Sequence, residues 1–354
     1  MGLRGWLLRQ AAVRPRVLVA CCPYGTRARL LVEAELDRRG WPVASAPAEA
    51  GLLVVCGAPG AEMRQAVQGV WEAMVEPRAL VEPASAVSRE EVAAALNDAV
   101  ETLARGGTPR TGPPPAPPAA DMDLPGGVPM AGRGPDRDGL TLDRLHVPLG
   151  PVLADWPAGL VVDTVLQGDV IQEAVVRALP PGEHGTPFWA EPGRGAAARL
   201  DGLGRLLGVA GWPWAAREAR RLRDRLLAVA DGGGGRGGEV AGEFRGFARR
   251  VRGSVVLRCM LRGVGVVGGG GPERARGDVL DRAYRWVEEA EDAIGGPGRP
   301  GVPDRLPDRL PDRWPDRLPD GLLGGLLAGA DLAQARLIVA SVDPDLERVA
   351  VRRG

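Results

Sequence analysis

A proline stands at every fourth position from Pro303 to Pro319, inside a tetrapeptide repeat that covers residues 302–321. One unit of the repeat reads Leu306-Pro307-Asp308-Arg309. Each proline removes a backbone donor that a helix or a sheet would use, so the repeat can belong to neither. Residues 107–138 are also rich in proline and favour an extended polyproline conformation. The chain therefore consists of segments that can fold, separated by linkers over 107–138 and 297–320.

The first segment that can fold, residues 1–106, alternates short apolar runs with helical patterns. The run Leu52-Leu53-Val54-Val55-Cys56 contains no polar side chain, which is typical of a strand buried on both faces. Residues 78–82 are interpreted as a third strand, and Ser88-Arg89-Glu90-Glu91 is a capping box that begins a helix. The resulting βαβαβα order predicts an α/β domain with a parallel, doubly wound, flavodoxin-like sheet.

The second segment begins near Leu140 and changes from strand patterns to helical patterns. Residues 145–149 and 160–174 are interpreted as strands, with a turn at Gln167-Gly168. Helical patterns follow, and they cover residues 196–208, 214–230, 240–260 and 277–294. We predict a mainly α (α+β) domain over residues 139–296, with a small sheet followed by a helix bundle, completed by the C-terminal segment 321–354.

The charge balance of the chain excludes one class of partner. Its basic side chains are all arginine apart from two histidines, and the 45 arginines face 45 acidic residues. The formal net charge is therefore zero, which leaves no basic excess for nucleic-acid binding. The four cysteines show no spacing typical of a disulfide framework, and no apolar run reaches the ~18 residues of a membrane-spanning helix. These features predict a cytoplasmic protein without a transmembrane segment of its own.

A tandem cysteine pair in the first segment is followed by further short sequence motifs in a characteristic order, and these motifs are called phrases below. The phrases are Val19-Ala20-Cys21-Cys22, Leu52-Leu53-Val54-Val55-Cys56-Gly57, Glu62-Met63, Val70-Trp71-Glu72-Ala73-Met74 and Glu76-Pro77-Arg78. This order resembles the B-type subunit of respiratory complex I, the NADH-quinone oxidoreductase, which carries the last cluster before quinone. The resemblance implies that Cys21 and Cys22 are remnant ligands of the family's four-iron four-sulfur cluster. The family's third ligand position is Ala86 here and its Gly-Cys-Pro phrase is absent, so we expect no cofactor and a lost cluster.

Phrases in the second segment also follow the order of a known family. They are His146-Val147-Pro148-Leu149-Gly150-Pro151, Leu166-Gln167-Gly168-Asp169-Val170, Leu206-Leu207-Gly208-Val209, Arg262-Gly263-Val264-Gly265-Val266 and Ser341-Val342-Asp343. Together they resemble the D-type subunit of complex I, which is the quinone-site partner of the B-type one. The resemblance implies that the two histidines of the family's quinone loop correspond to Leu153 and Pro157. We therefore expect Leu153, Pro157 and Trp156 to close part of the cleft between the two domains.

No other side chain replaces the missing quinone-site groups in this comparison. The only tyrosines are Tyr24 and Tyr284, and neither falls at the position of the family's quinone-binding tyrosine. His184 lies near that position and is interpreted as an exposed loop histidine. The resemblance therefore predicts no catalytic residue and no metal-binding residue in this chain.

The two resemblances imply a fused, degenerate relative of the B-type and D-type subunits. The function that they imply is that of a peripheral, structural component of a complex-I-like NADH-quinone oxidoreductase assembly. Its expected partners are membrane-arm and peripheral subunits, at the cytoplasmic face of the cell membrane. Two alternatives stay open: an active quinone oxidoreductase component completed by partner chains, and a free-standing flavodoxin-like binding protein. Iron content separates the first two functions, and co-purification with membrane subunits separates both from the third.

Overall fold

A computed structural model describes residues 12–85, 87–108, 132–135, 141–231, 237–294 and 321–347. Ala86, the linker predicted over 297–320 and most of the linker predicted over 107–138 lie outside these ranges. In the described part of the chain, no helix is both long enough and apolar enough to cross a membrane.

The part of the chain predicted as the first domain is built on a parallel sheet of three strands in the order β1-β2-β3, and we keep that name for it. The strands are β1 (Val17–Cys21), β2 (Leu52–Cys56) and β3 (Ala79–Val81). Every residue of β2 is buried, as its unbroken apolar run predicts. Helices α1 (Thr26–Arg39), α2 (Ala61–Ala73) and α3 (Arg89–Ala104) follow the three strands in turn. The α/β class of this domain is confirmed, and its flavodoxin-like assignment stays a prediction.

Alternate residues of the first sheet face two different apolar cores. Val17 and Cys21 pack on one side, with buried residues of α1 and α3. Leu18 and Cys22 pack on the other side, with Met63 of α2. Successive side chains of a strand point to opposite faces, and the chain keeps this alternation through Cys22.

The part of the chain predicted as the second domain, which keeps that name below, contains an antiparallel sheet of four strands in the order β4-β5-β6-β7. The strands are β4 (Gly132–Pro135), β5 (Thr141–Leu149), β6 (Leu160–Gln167) and β7 (Val170–Ala178). The predicted turn between β6 and β7 is present, and Gly168 has a φ of 63°, which favours glycine. Strand β4 corrects the linker predicted over 107–138, because residues 132–135 pair with β5.

Helices pack against β6 and β7 around one apolar core. They are α4 (Gly195–Val209), α5 (Pro213–Ala230), α6 (Gly237–Gly253), α7 (Val255–Leu261), α8 (Val279–Ile294), α9 (Leu322–Leu327) and α10 (Leu332–Val342). The single helix predicted over 240–260 is two helices. Ser254 separates them, because its side-chain oxygen accepts a hydrogen bond from the backbone N–H of Leu257 at 3.2 Å and begins α7.

The two domains approach each other backbone to backbone. A Cβ atom on Gly60 would lie 2.5 Å from the carbonyl oxygen of Pro180, and one on Gly182 would lie 2.6 Å from that of Pro59. Only glycine fits at these two positions without a shift of the backbone. Leu179, from the end of β7, is buried in the α2-side core of the first domain. That core is therefore shared by both domains.

Candidate functional site

A network of arginines and carboxylates joins the first domain to the second. Helix α1 contributes Arg29 and Glu33, which lie one turn apart and share a face of the helix. The guanidinium of Arg29 donates to both carboxylate oxygens of Asp201 on α4, at 3.1 and 2.9 Å, and to Glu33 at 2.7 Å. Arg29 and Asp201 are both buried. The contact is therefore a charge-assisted, bidentate hydrogen bond inside the protein.

Arg223 of α5 extends the network and has no exposed side-chain surface. It donates to Glu33 at 2.6 Å and to Asp201 at 2.8 Å. It also donates to the adjacent Asp224 at 2.8 Å. One arginine of the second domain thus binds a carboxylate of α1 and carboxylates of its own domain.

The network continues beyond these central residues. Arg205, one turn after Asp201 on α4, lies 3.1 Å from the Asp201 carboxylate and 2.5 Å from that of Asp343. Asp343 ends α10, so these contacts tie the C-terminal segment to α4. On another side of the network, Arg220 of α5 forms an ion pair with Asp155 in the loop before β6.

The arginines decide the charge state of the buried carboxylates. Burial raises the pKa of the Glu33 carboxyl, but the positive charges of Arg29 and Arg223 outweigh it and lower the pKa to about 2. Burial also opposes ionisation of Asp201, and Arg205 and Arg29 hold its pKa well below the ordinary value. Both carboxylates are therefore ionised at neutral pH and compensate the charge of the arginines around them.

Glu347 makes a second contact between the domains. Its carboxyl group accepts hydrogen bonds from the Thr26 hydroxyl at 2.6 Å and from the backbone N–H of Phe188 at 3.1 Å. The Tyr24 hydroxyl donates to the backbone carbonyl of Glu347 at 3.1 Å. Burial raises the pKa of Glu347. Because Thr26 begins α1, this contact holds the same helix that carries Arg29.

A cavity of about 520 Å³ lies beside the network, between α1, residues 151–156 and α5. Leu36, Trp41, Leu153 and Trp156 give its wall an apolar part, and the wall also includes charged side chains of the network. Its volume is in the range of small-molecule sites. Leu153 and Trp156, which we expect to close part of the cleft, lie in the wall of this open cavity, so they do not fill it. Pro157 lies instead at a separate cavity of about 30 Å³ beside the C-terminal segment.

The two cysteines predicted as remnant cluster ligands lie in different cores. Cys21 packs on the α1 side of the sheet, in register with Cys56 of β2, and Cys22 packs on the α2 side. Burial raises the pKa of the Cys21 and Cys22 thiols to about 12. Over the residues that the structure describes, no three His, Cys, Asp or Glu side chains form a group that could hold a metal ion. A four-iron cluster needs four converging ligands, whereas Cys21 and Cys22 lie on opposite sides of the sheet and do not converge.

His184, Tyr24 and Tyr284 do not line the cavity of about 520 Å³. His184 is exposed, as predicted, and its ring lies 6.1 Å from that of Tyr24. The Tyr284 hydroxyl donates to the backbone carbonyl of Arg252 at 3.2 Å. No histidine or tyrosine from the described ranges lines the cavity wall.

Comparisons with known proteins give only a distant structural similarity. No protein-family model matches this chain, and no curated protein matches its sequence. A solved chain is similar to it, from the structure of the membrane-bound sulfane sulfur reductase, an archaeal respiratory membrane complex. The match covers 59% of this chain and 98% of that chain, with 14% sequence identity and a TM-score of 0.40. A similarity of this size shows neither a common activity nor a common set of ligands.

Sequence patterns alone do not single out the ion network. Arg29 and Glu33 are spaced four residues apart on α1, and Asp201 and Arg205 are spaced likewise on α4. Opposite charges at this spacing are typical of solvated helix surfaces. The one available signal is on α4, where Asp201 stands among Ala, Leu and Gly in a helix that is otherwise largely apolar.

Proposed function

We propose that this chain is a peripheral, structural component of a complex-I-like respiratory assembly. In this proposal a domain of the B type and a domain of the D type are fused and fixed relative to each other. The partners are membrane-arm and peripheral subunits, and the place is the cytoplasmic face of the cell membrane. The observation that carries the proposal is the buried contact of Arg29 with Asp201 across the junction of the two domains.

The chemistry of the junction favours a structural role over electron transfer. Arginine and carboxylate side chains carry fixed charges at neutral pH and do not exchange electrons. Cys21 and Cys22 are the thiols that the family resemblance would assign to a cluster, and they lie on opposite sides of the sheet. A junction of paired charges can instead keep two domains at a fixed spacing, which a protein that holds an interface needs.

One observation favours the alternative of an active quinone oxidoreductase component. The cavity of about 520 Å³ is open and is partly lined by apolar side chains, as a site for a planar ligand would be. Asp155 lies in its wall, and burial raises the pKa of this carboxyl group. A carboxyl group that holds its proton at higher pH could supply that proton to a ligand. In this alternative the redox ligands come from partner chains.

Co-purification tests the assembly. The tagged full-length chain is purified from native membranes in mild detergent, and the proteins that come with it are identified. We expect membrane-arm subunits of a respiratory complex in amounts comparable to the chain itself. Recovery of the chain alone, with no respiratory protein in the eluate, would contradict the proposal and support the free-standing binding protein.

Iron and quinone measurements test the structural role. The chain is purified without air, and its iron content and its affinity for a quinone analogue are measured. We expect no stoichiometric iron and no saturable binding of the analogue. About four irons per chain with a paramagnetic signal in the reduced state, or tight analogue binding, would favour the active enzyme.

A further inference from the structure

Helix α7 is apolar on two opposite faces. Leu257 and Leu261 point inward and are buried in the core of the second domain. Val255, Val256 and Met260 point outward, with 62, 70 and 44% of their surfaces exposed. An apolar face of a helix normally packs against a protein core or lipid. Over the described residues, nothing covers the outer face of α7.

The exposed side chains of α7 form one continuous stripe. Successive residues of a helix are 100° apart, so Val255 and Val256 lie side by side. Cys259 lies one turn beyond Val255, and Met260 lies one turn beyond Val256. Arg258 and Arg262 are also one turn apart, and they lie along one edge of this stripe. Neither arginine has an ion-pair partner within the described part of the chain. We call this stripe with its arginine edge the α7 surface, defined by Val255, Val256, Arg258, Cys259, Met260 and Arg262.

The surrounding sequence is strongly basic, although the whole chain has a net charge of zero. Residues 244–272 contain six arginines and no acidic residue. Arg250 stacks over the Trp214 ring at 5.1 Å, and Arg252 pairs with Glu291 at 2.8 Å. The other arginines have no ion pair to a described residue, and they are Arg245, Arg249, Arg258 and Arg262.

We propose that the α7 surface binds membranes that contain anionic lipid. Val255, Val256 and Met260 enter the boundary between headgroups and acyl chains, and the arginines bind the lipid phosphates. Such a combination of a few inserted apolar side chains with nearby cations is sufficient for reversible peripheral binding. This inference concerns the outer face of the second domain and holds whether or not the chain belongs to a complex-I-like assembly.

The size and composition of the α7 surface favour lipid over a protein partner. The helix has seven residues and is only about 10 Å long. A stable protein interface buries roughly 1,200–2,000 Å² and is usually enriched in aromatic side chains. The α7 surface has no aromatic side chain and offers a few aliphatic groups only. A lipid surface needs no shape complementarity and accepts such a small patch.

Vesicle sedimentation with the full chain tests this proposal. We expect binding to phosphatidylcholine vesicles that also contain phosphatidylglycerol, much weaker binding to phosphatidylcholine alone, and a loss of binding as salt is raised. The double variant Arg258→Gln/Arg262→Gln should bind about 25-fold more weakly, because each arginine near an anionic surface contributes roughly fivefold. The double variant Val256→Ser/Met260→Ser should bind roughly tenfold more weakly to the same vesicles.

Matched controls distinguish binding through the α7 surface from binding that depends only on the overall charge of the protein. Arg89→Gln/Arg105→Gln makes the same charge change on α3, and Val175→Ser removes a valine that is 65% exposed on β7. Both controls should bind within about twofold of the parent.

No binding of the parent to the anionic vesicles would overturn the proposal. Equal losses in the α7 variants and the controls would also overturn it, as would binding of the α7 surface to an acidic protein in place of vesicles. All variants change exposed side chains apart from the half-buried Arg258, and unchanged melting temperatures confirm that they fold.

Discussion

Asp201 accepts two hydrogen bonds from Arg29 although the two residues are 172 positions apart in the chain. Arg29 belongs to the first domain and Asp201 to the second, and both are buried. A buried ion pair adds little net stability compared with a well-packed apolar pair, because both charges lose their hydration. Removing one partner is costly, however, because the other charge stays buried and unpaired. The contact therefore specifies how the two domains fit together more than it stabilises either of them.

Acid should loosen the junction before it unfolds the separate cores. The folded-state pKa of Glu33 is about 2 and lies below its ordinary value near 4.3, so its contribution to stability is present above about pH 4.3. That contribution is lost as the pH falls towards 2. We expect the free energy of unfolding to fall by roughly 3 kcal/mol between about pH 5 and pH 2 because of this group.

The variant Glu33→Gln provides the control for the acid experiment. Its amide does not titrate, so it should be less stable at neutral pH and should lose less stability on acidification. Urea unfolding at several pH values measures both effects. A parent and a variant with the same pH slope would contradict the prediction for Glu33.

The thiols should differ sharply in reactivity. Cys259 is exposed, whereas Cys21, Cys22 and Cys56 are buried. Burial raises the pKa of Cys21 and Cys22 to about 12, so their thiolate fraction at neutral pH is more than about a thousandfold below that of an ordinary cysteine. We expect a thiol reagent to label one of the four cysteines in the native protein and all four after unfolding. The variant Cys259→Ser should show no fast phase, and rapid labelling of Cys21 or Cys22 would contradict their burial.

The close approach of the domains should be sensitive to one methyl group. A Cβ atom on Gly182 would lie 2.6 Å from the carbonyl oxygen of Pro59, so Gly182→Ala forces the domain-bridging loops apart. We expect it to lower the free energy of unfolding by about 1–3 kcal/mol. Gly69 lies inside α2 with nothing within 4 Å of its Cβ position. Gly69→Ala should instead stabilise the protein by about 0.5–1 kcal/mol, and equal effects of the two variants in urea unfolding would contradict the tight contact.

Local patterns predicted the elements of the fold better than they predicted the site. The unbroken apolar run of β2 and the capping box at Ser88 are local signals, and both elements are found where they were expected. The capping residue Ser254 was hidden within a continuous helical pattern, so one helix was predicted in place of two. The sequence does not predict strand β4, because residues 132–135 contain glycine and proline and pair only through their contact with β5.

The candidate site depends on contacts that no local pattern encodes. Arg29 and Asp201 meet because two domains dock, and each residue by itself belongs to an ordinary charged pair on a helix. Cys21 and Cys22 resemble a ligand pair because they are adjacent in sequence, and that adjacency is what places them on opposite sides of the sheet. The open cavity beside Leu153 likewise follows from the docking of α1 and α5, which the missing histidines alone could not predict.

The substitution Asp201→Asn removes the negative charge that Arg29, Arg205 and Arg223 share. We expect a loss of about 3–5 kcal/mol, since breaking a buried ion pair leaves its partners uncompensated. The matched control is Arg177→Gln, because Arg177 of β7 also joins the domains, through an ion pair with Glu62 of α2 at 2.7 Å. That pair is largely exposed, so its loss should cost at most about 1 kcal/mol.

Thermal unfolding of Asp201→Asn beside Arg177→Gln tests the central claim most directly, namely that a buried ion network fixes the two domains to each other. We predict one cooperative transition for the parent and for Arg177→Gln. For Asp201→Asn we predict a clearly lower first transition that separates into two, because the domains no longer unfold together. A single transition for Asp201→Asn, at the same temperature as that of Arg177→Gln, would contradict the claim.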